Sequence, residues 1–334
     1  MSPSPDSAIL RRLREAPGAF TLPSLFGDPA EVNARIAALR DAGYEIEHHP
    51  HLGYRLVSSP DRIIADDILS RLPDSRWLRD ILVFEKTAST NDLIATLARQ
   101  GAPAGIVAFA ERQTAGRGRL GRRWQSDPRL GLWFSLLLRP TLPVGQWPRL
   151  TLWLAYAIAH GIRDHIAPQA SSPPQIMLKW PNDLYISGRK LAGILIESSP
   201  GDHGFAVAGI GLNVNHLEFP PPLDATATSL RIATGANTDR NALAACILAS
   251  IDQSYSLIPN HFHQILAWAA DADHLRDRWV SVTAGDTSIE GIAHGLDPDG
   301  ALLIATQPGP VIRVTSGEVT RFSTLERFRS GLSQ

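Results

Sequence analysis

Residues 176–197 leave this chain few folds to choose from. An apolar run, Ile176-Met177-Leu178, enters Lys179-Trp180-Pro181-Asn182-Asp183, and a second run, Leu184-Tyr185-Ile186, leaves it. Proline removes a backbone donor, and Asn and Asp favour turns, so the chain reverses there. Ser187-Gly188 then makes a tight hairpin into a third strand, Arg189-Lys190-Leu191-Ala192-Gly193-Ile194-Leu195-Ile196-Glu197. Gly193 inside a strand weakens packing, which points to close approach of a ligand or another backbone. Residues 205–214 repeat the pattern, with Gly209 and Gly211 inside and Asn213 and Asn215 after. A sheet rich in hairpins is therefore expected at the centre. Helical periodicity on either side (61–72, 93–99, 146–166, 239–258 and 262–269) makes the class α+β. Trp147 and Trp153 in the longest helix are expected in its core.

A second stretch carries chemistry. After the strand-like run 106–110 comes Gln113-Thr114-Ala115-Gly116-Arg117-Gly118-Arg119-Leu120-Gly121-Arg122-Arg123-Trp124, with three glycines and four arginines in residues 116–123. Glycine permits close backbone approach, and arginine is a permanent, forked donor to carboxylate and phosphate. Taken alone, the run fits an anion-binding loop, a solvated basic loop or a Gly/Arg patch for RNA. It is not a Walker loop, because no Gly-Lys-Ser/Thr follows. Upstream, Thr87-Ala88-Ser89-Thr90-Asn91-Asp92 opens a helix. Such residues cap helices, and they also put hydroxyls at the positive end, where a polar or anionic ligand is stabilised. Residues 216–228 are Pro-rich and aperiodic, as in a loop over a site.

The ends of the chain have a different texture. Two short helices (7–16, closed by Pro17-Gly18, and 29–42, with Asp28 as N-cap) precede two short strands at 44–47 and 54–57. That is the order of a winged helix-turn-helix. The segment between the helices is tight: Leu22-Pro23-Ser24-Leu25-Phe26 leaves room for barely one turn where a supporting helix normally sits. The second helix carries Arg35 and Arg40 among Asp28, Glu31 and Asp41, which is weak phosphate anchoring. After residue 279 come short apolar strands split by Gly-Asp, Asp-Pro-Asp-Gly and Pro-Gly turns, the pattern of a small β-barrel.

Composition excludes several classes. The formal net charge of -1 gives no global attraction to nucleic acid. The most apolar segment, 150–162, is too short to span a bilayer, and no signal-peptide core follows the polar start, so a cytoplasmic protein is expected. The single cysteine, Cys246, allows no internal disulfide and no Cys-based zinc site, and is expected to be buried.

Taken together and in order, Ser89-Thr90-Asn91, Gly116-Arg117-Gly118-Arg119-Leu120-Gly121-Arg122, Lys179-Trp180-Pro181-Asn182-Asp183 and Arg189-Lys190-Leu191-Ala192-Gly193 resemble biotin protein ligase, of the bifunctional ligase/repressor type. The resemblance implies a winged helix over 1–59, a mixed-sheet biotin/lipoate ligase-like catalytic domain over 60–274 and an SH3-like barrel over 275–334. It implies an ATP-dependent ligase that forms biotinyl-5′-AMP and transfers biotin to a lysine of a biotin carboxyl carrier protein. The substrates and cofactors would be biotin, ATP and Mg²⁺. The acceptor would be the carrier domain of acetyl-CoA carboxylase or a related carboxylase, and a homodimer would form through the catalytic sheet.

By the same resemblance Arg117, Arg119 and Arg122 enclose the adenylate, and Lys190 meets the biotin carboxylate and α-phosphate. Ser89, Thr90 and Gln113 bond the ureido ring, with Asn91 beside them. Gly116, Gly118, Gly193 and Gly209 leave room for ligand, and Trp124 stacks on adenine. Asp183 orients the amine or helps hold Mg²⁺, while Asn182 holds the turn. No protein-borne metal site is expected. Because burying the loop's charge is unfavourable without a ligand, residues 113–124 and 216–228 are expected to order over the adenylate. Two other readings stay open: a lipoate or octanoate ligase, and a biotin-sensing regulator without ligase activity. Operator DNA binding is not carried over, because the helix-turn-helix is short; DNA as a partner and a biotin-operon repressor role stay open.

Overall fold

A computed structural model of the chain describes residues 4–22, 27–168, 173–201, 204–306 and 309–323. Helices α1 (Pro5–Glu15) and α2 (Pro29–Asp41) precede strands β1 (Glu45–His49) and β2 (Gly53–Ser58), which pair antiparallel. Ser4 and Asp28 cap the two helices through their side chains, and a proline opens each, a position where its missing N–H is harmless. Leu10, Leu13, Ile36, Tyr44 and Tyr54 form a small separate core. The single turn expected around 22–26 falls largely on residues 23–26, outside the described residues.

Helix α3 (Ala65–Arg71) packs on α1 and, on its other side, on a later helix, so it joins the N-terminal unit to the rest. Its buried Asp67 takes hydrogen bonds from Arg14 (2.8 Å), Arg71 (2.7 Å) and the Tyr44 hydroxyl (2.9 Å). Burial and that carboxylate push the Tyr44 hydroxyl well above its ordinary range.

The central sheet has seven strands. Six of them are β3 (Asp80–Thr87), β4 (Ile106–Gln113), β5 (Gly131–Leu138), β6 (Met177–Lys179), β7 (Asp183–Ile186) and β8 (Arg189–Ser199); β9 (Phe205–Asn213) completes it. Their order is β3-β4-β5-β9-β8-β7-β6, with β3 and β4 parallel and the rest antiparallel. The sheet is mixed, as expected, and residues 176–197 make the three consecutive antiparallel strands read from the sequence. Helices α4 (Thr90–Arg99) and α5 (Arg149–Ile166) follow β3 and β5; after β9 come α6 (Leu230–Thr234), α7 (Arg240–Ser254), α8 (Leu257–Asn260) and α9 (Phe262–Asp271).

Period-two alternation decides what each face of this sheet does. Leu132, Phe134, Leu136 and Leu138 of β5, Ile194 of β8 and Ile210 of β9 enter the main core with Trp153, Ile158 and Leu248 of the covering helices. Ser135, Gly193, Glu197, Gly209 and Gly211 alternate with them and so lie on the opposite face, beside α4. Residues 150–162 belong to α5, and among the described residues no helix is long and apolar enough to cross a membrane. Cys246 is only half-buried on α7, a small departure from the buried position expected.

Strands β10 (Trp279–Ala284), β11 (Thr287–Leu296), β12 (Leu302–Ala305), β13 (Val311–Val314) and β14 (Glu318–Ser323) form an antiparallel sheet in the order β13-β12-β11-β10-β14. Among the described residues β13 and β14 end this sheet without pairing, so the closed barrel expected from the turn spacing is not what forms. The core of this unit (Val280, Val282, Leu302, Ile304) is completed by Trp180, which comes from the turn between β6 and β7. Trp180 also donates Nε1–H to the Gly300 carbonyl at 3.1 Å.

Candidate active site

A cavity of about 330 Å³ opens on the glycine-bearing face of the central sheet. It is lined by the start of α4, the arginine loop, the β6–β7–β8 hairpins, β9, residues of the 216–227 segment, and Glu318 and Val319 of the C-terminal sheet. All the sequence-predicted site residues except Gly116 line it. Gly116 stands one shell back, where an added Cβ would meet the Trp124 carbonyl at 2.8 Å and Ser126 Oγ at 3.0 Å.

At one end a polar chain runs across the start of α4. Thr90 donates its backbone N–H to Gln113 Oε1 at 2.9 Å, and Gln113 Nε2 donates to Ser126 Oγ at 3.1 Å. Thr90 Oγ1 shares a 2.6 Å hydrogen bond with Ser135 Oγ, which donates to Asn91 Oδ1 at 2.6 Å. Asn91 Nδ2 then donates to Glu197 at 2.6 Å. Ser89 occupies the N-cap position, yet its hydroxyl makes no cap hydrogen bond. Capping, the simpler reading of Ser89, therefore does not account for it.

The arginine loop is a narrow hairpin. Gly118 N–H donates to the Arg122 carbonyl (2.7 Å) and Trp124 N–H to the Gly116 carbonyl (2.9 Å), while Leu120 (φ 55°) and Gly121 (φ 70°) turn the tip through the left-handed region. Three of its arginines have partners within the chain. Arg117 bonds Asp92 through both terminal nitrogens at 2.9 and 2.7 Å, with Glu197 at 3.4 Å. These bonds hold the Asp92 carboxyl below its usual range and raise the Arg117 guanidinium. Arg119 donates to Asn182 Oδ1 (3.2 Å) and to the Gly317 carbonyl (2.9 Å), and Arg122 pairs with Glu318. Arg117 and Arg122 are thus compensated by carboxylates without a ligand, while Arg119 rests on neutral oxygens. The loop that follows the sheet is tied as well: Lys190 N–H donates to the Thr226 carbonyl and Thr228 N–H to that of Lys190.

Lys190 and Asp183 face each other across the β7–β8 hairpin, Nζ to Oδ1 at 2.7 Å. Asn182 does hold the turn, donating to the Ile194 carbonyl at 2.7 Å while its own carbonyl accepts from Ile194 N–H. Lys179 lies between the rings of Tyr185 and Phe322, and its burial lowers the ammonium's pKa against the opposing pull of Asp183.

Two of the site glycines are closely packed. The space beside Gly209 is filled by Asn91, whose Oδ1 an added Cβ would meet at 2.3 Å. Gly193 pairs with Gly211 across β8 and β9, and the Trp124 indole lies on this bare patch, 3.0 Å from a Cβ at Gly193 and 2.3 Å from one at Gly211. Gly193 and Gly209 line the cavity, and both also make room for protein side chains that line it. Sequence reading missed Asp92, Ser135, Glu197 and Glu318 as partners. Glu197 was open to inference, since alternation along β8 from Gly193 puts it on the same face. It also missed Glu111, 2% exposed, whose carboxylate binds Arg240 (also 2% exposed), the Ile63 N–H and the Arg129 N–H.

Residues 83–215 match the biotin/lipoate A/B protein ligase family, and residues 277–320 match the biotin protein ligase C-terminal domain. The bifunctional ligase/repressor BirA of Bacillus spizizenii is 36% identical over 82% of this chain and 84% of its own length. The chain belongs to the biotin protein ligase family. A biotin--[acetyl-CoA-carboxylase] ligase of Mycobacterium tuberculosis is 35% identical over 78% of this chain and 94% of its own. Among solved structures, the biotin protein ligase of Aquifex aeolicus in complex with biotin and ATP is similar over 74% of this chain and 98% of that one. The TM-score is 0.60 and the identity 29%. In this biotin protein ligase family member, the arginine hairpin and the β6–β7–β8 unit both fall within the matched span.

Proposed function

We propose that the chain joins biotin to AMP and passes the biotinyl group to a lysine of a carboxylase carrier domain. The observation that carries this is the convergence of Arg117, Arg119, Arg122 and Lys190 with the Ser89–Thr90–Gln113 cluster in one cavity. In the first step a biotin carboxylate oxygen attacks the α-phosphorus, and the bond to the β-phosphate oxygen breaks to release pyrophosphate. In the second, a neutral lysine amine attacks the acyl carbon, the acyl–phosphate C–O bond breaks, and the amine loses a proton as AMP leaves. Both steps concentrate negative charge, so preset cations and dipoles are the main requirement.

Lys190, aligned by Asp183 at 2.7 Å, meets the carboxylate and the α-phosphate. Ser89, Thr90 and Gln113 take the ureido ring, supported by Asn91 behind them. Arg117, Arg119 and Arg122 close over the adenylate by exchanging their present carboxylate and carbonyl partners for phosphate oxygens. Trp124, seated on Gly193 and Gly211, offers a face to adenine. Mg²⁺, where bound, neutralises phosphate oxygens of ATP. Asp183, which lines the cavity, orients the amine or helps hold Mg²⁺.

The division into 1–59, 60–274 and 275–334 is supported by a separate core at each end and two clusters in the central unit, the C-terminal core having Trp180 as its insert. We read the first unit as a winged helix and the last as SH3-like. DNA is a weak partner at best: Arg35 of α2 is bound to Glu31 and Asp6, and Arg40 to the Ile46 carbonyl. A homodimer through the sheet is supported by the edge position of β3. The test of the site is Arg119→Ala, which is expected to release biotinyl-5′-AMP to solution before transfer. Retention of the adenylate equal to that of the unsubstituted protein overturns the role.

A further inference from the structure

Glu197 of β8 accepts hydrogen bonds from Asn91 Nδ2 at 2.6 Å and from Arg117 Nη2 at 3.4 Å. It is not among the residues that line the cavity, yet it ends a chain that reaches one of them. Asn91 Oδ1 accepts from Ser135 Oγ at 2.6 Å, and Ser135 Oγ lies 2.6 Å from Thr90 Oγ1, which faces the cavity. A carboxylate can only accept, so the Asn91 amide turns its NH₂ to Glu197 and its oxygen to Ser135. That oxygen also only accepts, so the single Ser135 proton goes to it. Two hydroxyl oxygens in such close contact need a proton between them, and the one left is that of Thr90. Gln113 Oε1, 3.2 Å from Thr90 Oγ1, is the weaker claimant and already takes the Thr90 N–H at 2.9 Å. Thr90, Asn91 and Ser135 are all buried, so no solvent proton reverses the order.

We propose that Glu197 is a positioning residue for specificity: its carboxylate sets the direction of the chain Glu197–Asn91–Ser135–Thr90, so that Thr90 Oγ1 meets the ligand as an acceptor for an N–H. This deepens the biotin reading of the site and rests on it, since the ureido ring carries such donors. A ring with oxygen in place of the N–H at Thr90 sets lone pair against lone pair, and a buried acceptor left without a donor weakens binding. The device depends on the charge and not on the shape of Glu197. In Glu197→Gln the new amide can offer either its oxygen or its NH₂ to Asn91. The second choice turns the Asn91 amide over, lets Ser135 donate to Thr90, and frees the Thr90 proton for the cavity. Adding Asn91→Asp to Glu197→Gln moves the acceptor-only group one link along. The new carboxylate takes the glutamine NH₂ and the Ser135 hydroxyl, and the original direction returns.

The experiment is a calorimetric titration of the full chain with biotin and with its two cyclic carbamates, in each of which one ring N–H is replaced by oxygen. The unsubstituted protein is expected to bind biotin at least about tenfold more tightly than the carbamate whose oxygen meets Thr90, the effect of one lost hydrogen bond with a buried partner. In Glu197→Gln that gap is expected to narrow severalfold, for that carbamate alone, and in Glu197→Gln combined with Asn91→Asp to widen again. A uniform loss of affinity for all these ligands in Glu197→Gln marks Glu197 as merely structural and overturns the proposal. So does a double variant that discriminates no better than Glu197→Gln. Melting of the ligand-free chains runs alongside. Asn91→Asp alone sets two carboxylates against each other and is expected to melt below the double variant; the reverse order overturns the pairing. Discrimination that follows this pattern while biotin and MgATP give no biotinyl-5′-AMP leaves the Glu197 chain standing and fails the ligase reading.

Discussion

Gly209 and Gly118 are both glycines of the site, for unequal reasons. A Cβ at Gly209 would sit 2.3 Å from Asn91 Oδ1, whereas at Gly118 its nearest neighbour would be the Arg122 carbonyl at 3.6 Å. Asn91 cannot yield freely, because Ser135 donates to its oxygen and its amide donates to Glu197. Gly209→Ala is therefore expected to destabilise the fold by about 1–3 kcal/mol, the usual range for overpacking, and to weaken biotin binding through Thr90 and Gln113. Gly118→Ala is expected to leave the melting temperature within about 1 °C, since a half-buried methyl in ordinary contact costs at most about 0.5 kcal/mol. Equal melting temperatures for the two variants contradict this account of Gly209. From sequence, the glycines announced only that something comes close. Which atom fills the space is fixed by pairing between β8 and β9 and by the return of residue 124, contacts too distant in the chain to be read locally.

At the level of elements, the β6–β7–β8 unit was the most legible part of the chain, because turn residues and apolar runs there agree at every position. Trp180 within it was not legible. It looks like one more member of a ligase motif, yet its side chain leaves the catalytic sheet and enters the core of the C-terminal one. It thereby links Lys179, one residue before it, to the strand that carries Glu318 and Val319. Trp180→Ala is expected to cost about 3–5 kcal/mol, typical of emptying a buried aromatic site. It is also expected to expose residues 275–323 to protease before the central sheet is cut. Uniform proteolysis of both sheets would show that Trp180 does not join them. The misjudged barrel closure has a similar origin: turn spacing specifies short antiparallel strands but not whether the two edge strands meet.

Over the whole molecule, Asp67 and Glu111 are the junctions. Asp67 ties α1 and the first hairpin to α3, and Glu111 ties residue 63 to β4, α7 and the exit of the arginine loop. Neither stands out in sequence, since an isolated acidic residue is ordinarily solvated and only the fold brings its partners to it. With the cations of α2 committed to intrachain partners, the N-terminal unit is expected to give no biotin-dependent gel shift on promoters of biotin genes. A specific shift would restore the operator role. The central claim is tested most directly by mixing the protein with MgATP, a carrier domain, and biotin, lipoate or octanoate in turn, and weighing the carrier by mass spectrometry. The carrier is expected to gain one biotinyl group with biotin and nothing with the other two acids. No gain with biotin, or a gain with lipoate or octanoate, contradicts the assignment.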